Sequence, residues 1–222
     1  MWAIVPVKNL NAGKGRLAPN LPPDARRALV CAMLRDVLSA LTRCTAITRT
    51  ILVTRCPEAA RLAHRMTLPV LNLSEDRCLN SGVSAAVDVL SMCGVQEAMV
   101  LHGDLPLVRS EDISTVVCAH YAGKNDVTLV PDNDNIGTNA MLLKLPTAMQ
   151  FAYGNNSFLK HKQYAQALNL RVQTLHNARI GNDIDLWHDL KPIYSRPAPT
   201  HFSQWLAQHG ALCGWPVLAK TV

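Results

Sequence analysis

Three acidic residues have the types and spacing to hold a divalent cation. Asp104 follows the unbroken apolar run 98–101 and Gly103, and Asp183-Ile184-Asp185 lies far along the chain. In extended backbone, side chains two residues apart point the same way, so Asp183 and Asp185 share a face and Ile184 points away. Carboxylates gathered on one face repel unless a cation lies between them, and hard oxygen ligands favour magnesium. Taken singly, Asp104 reads as a loop residue capping the next helix, and Asp185 as the cap of a helix over 186–194. The combination favours a metal.

Two further stretches offer the complementary charge. Residues 8–19 hold Lys8, Gly13, Lys14, Gly15 and Arg16. Glycines let backbone N–H groups approach an anion and the cations supply charge, which suits a triphosphate. A solvated basic loop is the alternative, because the spacing matches neither GxGxxG nor GxxxxGKS. Residues 151–158 open a predicted helix over 157–168, where Gly154 frees the backbone and Ser157 sits among helix-start N–H groups without intrahelical partners. His161 lies one turn further, either facing that anion site or packed. In the polar loop 74–82, with Asp76 and Arg77, Asn80 either hydrogen-bonds a nucleotide base or caps the following helix.

Positioning these groups requires an ordered scaffold. Strands are predicted over 2–7, 50–54, 69–73, 98–101, 126–130, 140–145 and 171–175. Helices are predicted over 22–41, 57–66, 83–93, 110–121 with Ser110 as its cap, 157–168 and 186–194. Pro106 lacks the N–H a continuing central strand needs, so the fourth strand stops there. The alternation predicts an α/β three-layer domain over 1–194 with a mostly parallel, Rossmann-like sheet, and Asp104 at the carboxyl end of a central strand, where such sheets bind ligands. Residues 195–222 form a tail with a Pro-rich start and a short helix over 200–209. Trp205 and Trp215 point to docking on the domain or on a second subunit in a homodimer.

Composition narrows the classes. The chain has 222 residues, 49% of them apolar, enough for a sizeable core in one domain. Seven scattered cysteines without a CxxC argue for free thiols in a reducing cytoplasm and against a zinc site. The start lacks a basic region and cleavage site, so no secretory signal is expected, and no apolar run is long enough to span a bilayer. A net charge of +6 points to an anionic partner. Without a dense basic run or interleaved aromatics, nucleotides are favoured over nucleic acid.

At Val5-Pro6-Val7-Lys8 with Gly13-Lys14-Gly15-Arg16-Leu17, Gly103-Asp104-Leu105-Pro106-Leu107, Gly137-Thr138-Asn139-Ala140, Tyr153-Gly154-Asn155-Asn156-Ser157-Phe158 with His161, and Asp183-Ile184-Asp185, the chain resembles the 2-phospho-lactate guanylyltransferase family (CofC/FbiD). The resemblance implies a nucleotidyltransferase fold of the glycosyltransferase-A type, with one or more antiparallel strands. It implies transfer of GMP from GTP to the phosphate of a three-carbon acid (2-phospho-L-lactate, phosphoenolpyruvate or 3-phospho-D-glycerate), with release of pyrophosphate, in making coenzyme F420. It also implies magnesium on Asp104, Asp183 and Asp185; the GTP phosphates near Lys14 and Arg16, with Lys8 and Asn80 on the nucleotide; and the acid on Thr138, Gly154 and Ser157, with Gly137, Asn139 and His161 beside it. His102-Gly103 replaces a small-residue pair, Tyr153 stands where Phe is usual, and 78–82 follows the family's nucleotide loop only loosely. Two other classes remain: a sugar-transferring enzyme of the same fold, with the same carboxylates but no reason for the pocket at 154–157, and a basic nucleic-acid-binding module, which would be indifferent to Asp104→Asn.

Overall fold

The computed structural model describes residues 1–10, 13–73, 78–194 and 200–210, without the side chains of 191–194. Asp76 and Arg77 of the polar loop, the 195–199 linker, Cys213 and Trp215 lie outside the described residues. The elements are β1 (Trp2–Val7), α1 (Pro23–Arg43), β2 (Arg49–Thr54), α2 (Pro57–Arg65), β3 (Val70–Asn72), α3 (Leu79–Met92), β4 (Glu97–Leu101), α4 (Ser110–Ala122), β5 (Val127–Pro131), β6 (Thr138–Lys144), α5 (Ser157–Ala167), β7 (Val172–Thr174), α6 (Trp187–Tyr194) and α7 (His201–His209). A 3-10 turn covers Gly15–Leu17.

The strands form one seven-stranded sheet in the order β3-β2-β1-β4-β6-β5-β7. Strand β6 pairs antiparallel with both β4 and β5, and every other pairing is parallel. The short β5–β6 connection explains the reversal, because a crossover to a parallel strand needs a dozen residues or more. Successive side chains of β4 go to opposite faces: Met99 and Leu101 join the core under α1, α2 and α4, while Ala98 and Val100 join the core under α3 and α5. Burial on both faces is why β4 reads as an unbroken apolar run.

Several boundaries differ by a few residues from the sequence expectation, and four of them have a physical reason. Helix α3 starts at Leu79 after Cys78, so Asn80 lies in its first turn and is not its cap. Arg109, not Ser110, precedes α4, and its N–H donates to the Asp112 carboxylate at 2.9 Å. Strand β5 runs one residue later than expected, and Asp126 is bound instead by Arg171 and Lys144. Strand β6 starts at Thr138, two residues early, because Thr138 and Asn139 are polar but buried with partners.

A third core lies at the end of the sheet where the site forms. It joins Leu17, Met33, Ile184, Leu190, Phe202, Trp205 and Leu206, with Leu107 packed against it. Helix α7 thus packs on its own chain, with Asp36 of α1 accepting the His201 and Phe202 N–H groups at 2.9 and 2.8 Å and Trp205 Nε1 donating to the Ala25 carbonyl at 3.0 Å. The two bonds to Asp36 satisfy helix-start donors that have no intrahelical partner. Phe202→Ala should cost about 3–5 kcal/mol and Asp36→Ala about 1–2 kcal/mol in urea unfolding monitored by circular dichroism.

Candidate active site

The carboxyl ends of β1 and β4 and the amino end of β6 meet at one edge, because β6 runs against its neighbours. Leu101 pairs with Ala140, and the His102 N–H donates to the Asn139 carbonyl at 3.1 Å. A cleft of about 790 Å³ opens there, lined among others by Lys8, Lys14, Arg16, Asp104, Gly137, Thr138, Asn139, Gly154, Ser157, Asp183 and Asp185.

Asp104, Asp183 and Asp185 converge, each offering one oxygen, with the three oxygens within 4.8 Å of one another. Their segments are fastened from several sides. The Ile184 side chain is buried in the third core, which turns both flanking carboxylates outward as the alternation requires. Asn139 Nδ2 donates to Asp183 Oδ1 at 3.0 Å and to the Ile180 carbonyl at 2.9 Å. Asp189 accepts the Asp185 and Leu186 N–H groups at 2.9 and 2.6 Å. Arg179 forms a two-pronged bond to Asp112 of α4 at 2.7 and 2.8 Å, fixing the start of the connection.

Lys14 stands between the acids. Its backbone is left-handed, with φ of 55°, and its ammonium donates to Asp104 Oδ2 and Asp185 Oδ1, both at 2.6 Å. Burial alone would lower its pKa, but the two carboxylates raise it above the usual lysine range. Burial would raise the Asp104 carboxyl, and the Lys14 ammonium overrides this and holds it below the usual value. Burial and then the charges of Asp104 and Asp185 push the Asp183 carboxyl up, against the Asn139 hydrogen bond. Arg16 is exposed at the rim, 3.7 Å from Asp185.

This donor set fits a divalent cation. Three carboxylates outnumber the one ammonium among them, Asp104 Oδ1 is buried without a hydrogen-bond partner among the described residues, and Asp183 carries the strain of its like-charged neighbours. All these atoms are oxygen donors, as magnesium or manganese require.

Opposite the acids lies a cluster of neutral donors. The Thr138 N–H donates to Ser157 Oγ at 2.9 Å, Thr138 Oγ1 lies 2.9 Å from His161 Nδ1, and the Ala152 N–H donates to His161 Nε2 at 2.9 Å. Gly154 has φ of 120°, a region only glycine adopts freely. Asp132 accepts the Ile136 and Gly137 N–H groups at 2.8 and 2.6 Å, and a Cβ on Gly137 would lie 2.6 Å from the same carboxylate.

Several expected ligands have other work here. His161 is fully buried and does not line the cleft, so it does not reach a bound acid. Asn80 does not line it either: its carboxamide accepts the Tyr153 N–H at 2.7 Å and donates to the Tyr153 carbonyl at 3.4 Å. The Gly137 N–H is committed to Asp132, and Asn139 braces Asp183. Sequence reasoning missed Asp132 and Asp189 as braces, although an Asp just after a strand and another four residues past Asp185 are turn and cap signals. It also missed His102 and Tyr153 as cleft-lining residues, whose rings pack with centroids 5.1 Å apart.

A parallel-rich α/β sheet with clustered carboxylates and buried hydroxyls at its ligand edge is the arrangement of a nucleotidyltransferase-type enzyme. The chain belongs to the family described as guanylyl transferase CofC like, whose model matches residues 1–211. It is 34% identical over 191 residues to the phosphoenolpyruvate guanylyltransferase of Sphaerobacter thermophilus, covering 86% of this chain and 91% of that one. It is 30% identical over 206 residues to the 2-phospho-L-lactate guanylyltransferase of Methanothermobacter thermautotrophicus, covering 92% and 88%. A solved structure of a candidate nucleotide-diphospho-sugar transferase from Desulfovibrio desulfuricans G20 superposes with a TM-score of 0.76 at 14% identity over 96% of both chains, sharing the fold. Among the described residues no helix is long and apolar enough to cross a membrane.

Asp104→Asn should abolish Mn²⁺ binding measured by titration calorimetry, and Asn139→Ala, which only orients a ligand, should weaken it about 10- to 100-fold. Burial, then the nearby His102 and Lys160, lower the His161 pKa from 6.5 to about 4. Between those values the unfolded chain binds a proton that the folded imidazole refuses. Stability should therefore be full above pH 6.5 and fall as pH drops toward 4, by up to about 1.4 kcal/mol per pH unit for this group. Thermal melts across that range should show a shallower slope in His161→Gln.

Proposed function

We propose that this chain transfers GMP from GTP to the phosphate of a three-carbon phospho-acid of the phosphoenolpyruvate or 2-phospho-lactate class, releasing pyrophosphate, with Mg²⁺ as the ion, in coenzyme F420 biosynthesis. The observation that carries this reading is the cleft's polarity: clustered carboxylates with Lys14 and Arg16 on one side, hydroxyl donors on the other. The named activities of the curated relatives support it.

An oxygen of the acid's phosphate attacks the α-phosphorus of GTP. The bond from that phosphorus to the bridging oxygen of pyrophosphate breaks, and pyrophosphate leaves with the electron pair. The attacking phosphate is already anionic, so no general base is required; what remains is positioning and charge neutralisation. Asp104, Asp183 and Asp185 would hold the ion, which when bound supplies Lewis-acid neutralisation at the phosphates. Lys14 and Arg16 face the triphosphate, and Lys8 lies at the mouth. The base is assigned to a smaller apolar-floored pocket, of about 320 Å³, that shares Lys8, Gly13 and Leu79 with the main cleft and adds Val53, Leu73 and Gly82. Thr138, Ser157 and Gly154 grip the acid.

Pyrophosphate release with Mg²⁺, each nucleoside triphosphate, and phosphoenolpyruvate, 2-phospho-L-lactate or 3-phospho-D-glycerate in turn tests the reading. Release should require both GTP and one of the acids, and should vanish in Asp104→Asn with the circular dichroism spectrum unchanged. Ser157→Ala should raise the KM for the acid about 10-fold while leaving that for GTP in place. Release without an acid, or full activity in Asp104→Asn, would refute it.

A further inference from the structure

Buried at the back of the acid side of the cleft is a chain of hydrogen bonds whose directions can be worked out from one fixed donor. The Ala152 N–H can only donate, and it donates to His161 Nε2 at 2.9 Å. That nitrogen is therefore bare. Burial keeps the imidazole neutral, so its proton sits on Nδ1. Nδ1–H then donates to Thr138 Oγ1, 2.9 Å away. The threonine oxygen accepts inside the protein and its own proton is left over. The same holds for Ser157, whose Oγ accepts the Thr138 N–H at 2.9 Å. Among the described residues neither hydroxyl donates to a protein acceptor, and both residues line the cleft.

We infer that His161 is a positioning residue that fixes Thr138 as a hydrogen-bond donor toward the anionic groups of the bound acid, relaying the direction imposed by the Ala152 N–H. Without it the Thr138 hydroxyl rotates and turns a lone pair toward the ligand, which an anion repels. The network selects for a charged acceptor oxygen at this place and against a donor such as an amide or hydroxyl of similar size. His161 does not touch the substrate: Thr138 and Ser157 line the cleft and His161 does not. This inference rests on the acid-binding reading above.

The test is a double-mutant cycle in the pyrophosphate-release assay with phosphoenolpyruvate and 2-phospho-L-lactate. Thr138→Val should raise the KM for the acid about 10- to 100-fold, the range for a hydrogen bond to a charged group, and Thr138→Ser should restore most of it. His161→Phe should raise the same KM about 10-fold, with the KM for GTP unchanged and kcat within about 2-fold. His161→Gln should rescue, because its carboxamide oxygen can accept from Ala152 while its nitrogen donates to Thr138. In the Thr138→Val background His161→Phe should add nothing further. A purely structural role would give additive losses in both substrates and no rescue by Gln, and that result overturns the inference. If His161→Phe does not fold, His161→Gln and the Thr138 pair decide it: an unchanged acid KM in Thr138→Val is equally fatal. Failure of the acid-binding reading looks different, as wild type would then release no pyrophosphate with any acid.

Discussion

Everything at the ligand edge is arranged around the mutual repulsion of Asp104, Asp183 and Asp185. Three carboxylates within 4.8 Å would drive their segments apart if each were free to move. They are not free. Asp104 follows the end of a central strand, Ile184 is locked into a core, Asn139 holds the Asp183 carboxylate, Asp189 holds the backbone after it, and the Arg179–Asp112 pair anchors the approach. Lys14 then offsets part of the charge from within. The folding energy that brings these acids together comes from apolar packing, including the cluster that holds Ile184 and that α7 completes. The result is a preorganised negative pocket whose remaining charge suits a doubly positive ion.

The opposite wall of the cleft is built on the contrary principle. Around Thr138 and Ser157 the proposed selectivity lies in which way neutral dipoles point, with the nearby Asp132 carboxylate already taken up by the Ile136 and Gly137 N–H groups. Thr138 and Ser157 are nearly inaccessible, at 1% and 2% exposure, so their orientation is set by buried partners and not by solvent. On the proposed reading one wall serves the cation and the triphosphate, and the other serves the acid without a competing lysine.

How much of this could be read from the sequence depended on the range of the interactions. Strand β4 and the outward turn of Asp183 and Asp185 follow from local patterns, an unalternating apolar run and a period of two, and both were legible. The start of α3 was not, because Asn80, Ser81 and Gly82 are poor helix formers. Their helix is stabilised by tertiary contacts: a Cβ on Gly82 would lie 2.9 Å from Leu73, and Asn80 is tied to the backbone of Tyr153, 73 positions away. Thr138 and Asn139 looked like loop because their polarity is matched only by partners 19 to 44 residues distant. His161 lay in a recognisable motif, yet nothing local says that both its nitrogens are occupied by the protein.

The reversal of β6 divides the chain along functional lines. Segments proposed to meet the ion and the triphosphate come from scattered places: the loop after β1, the loop after β4 and the stretch before α6. The residues proposed to hold the acid, by contrast, all fall within residues 138–157, running from the start of β6 to the first turn of α5. On the proposed reading one continuous stretch carries the acceptor contacts, and Asn139 within it also braces Asp183, so the two halves of the cleft are joined there. A change of acceptor would then call for local replacement that keeps Asn139, whereas altering the metal site would demand coordinated change at positions spread from 104 to 185.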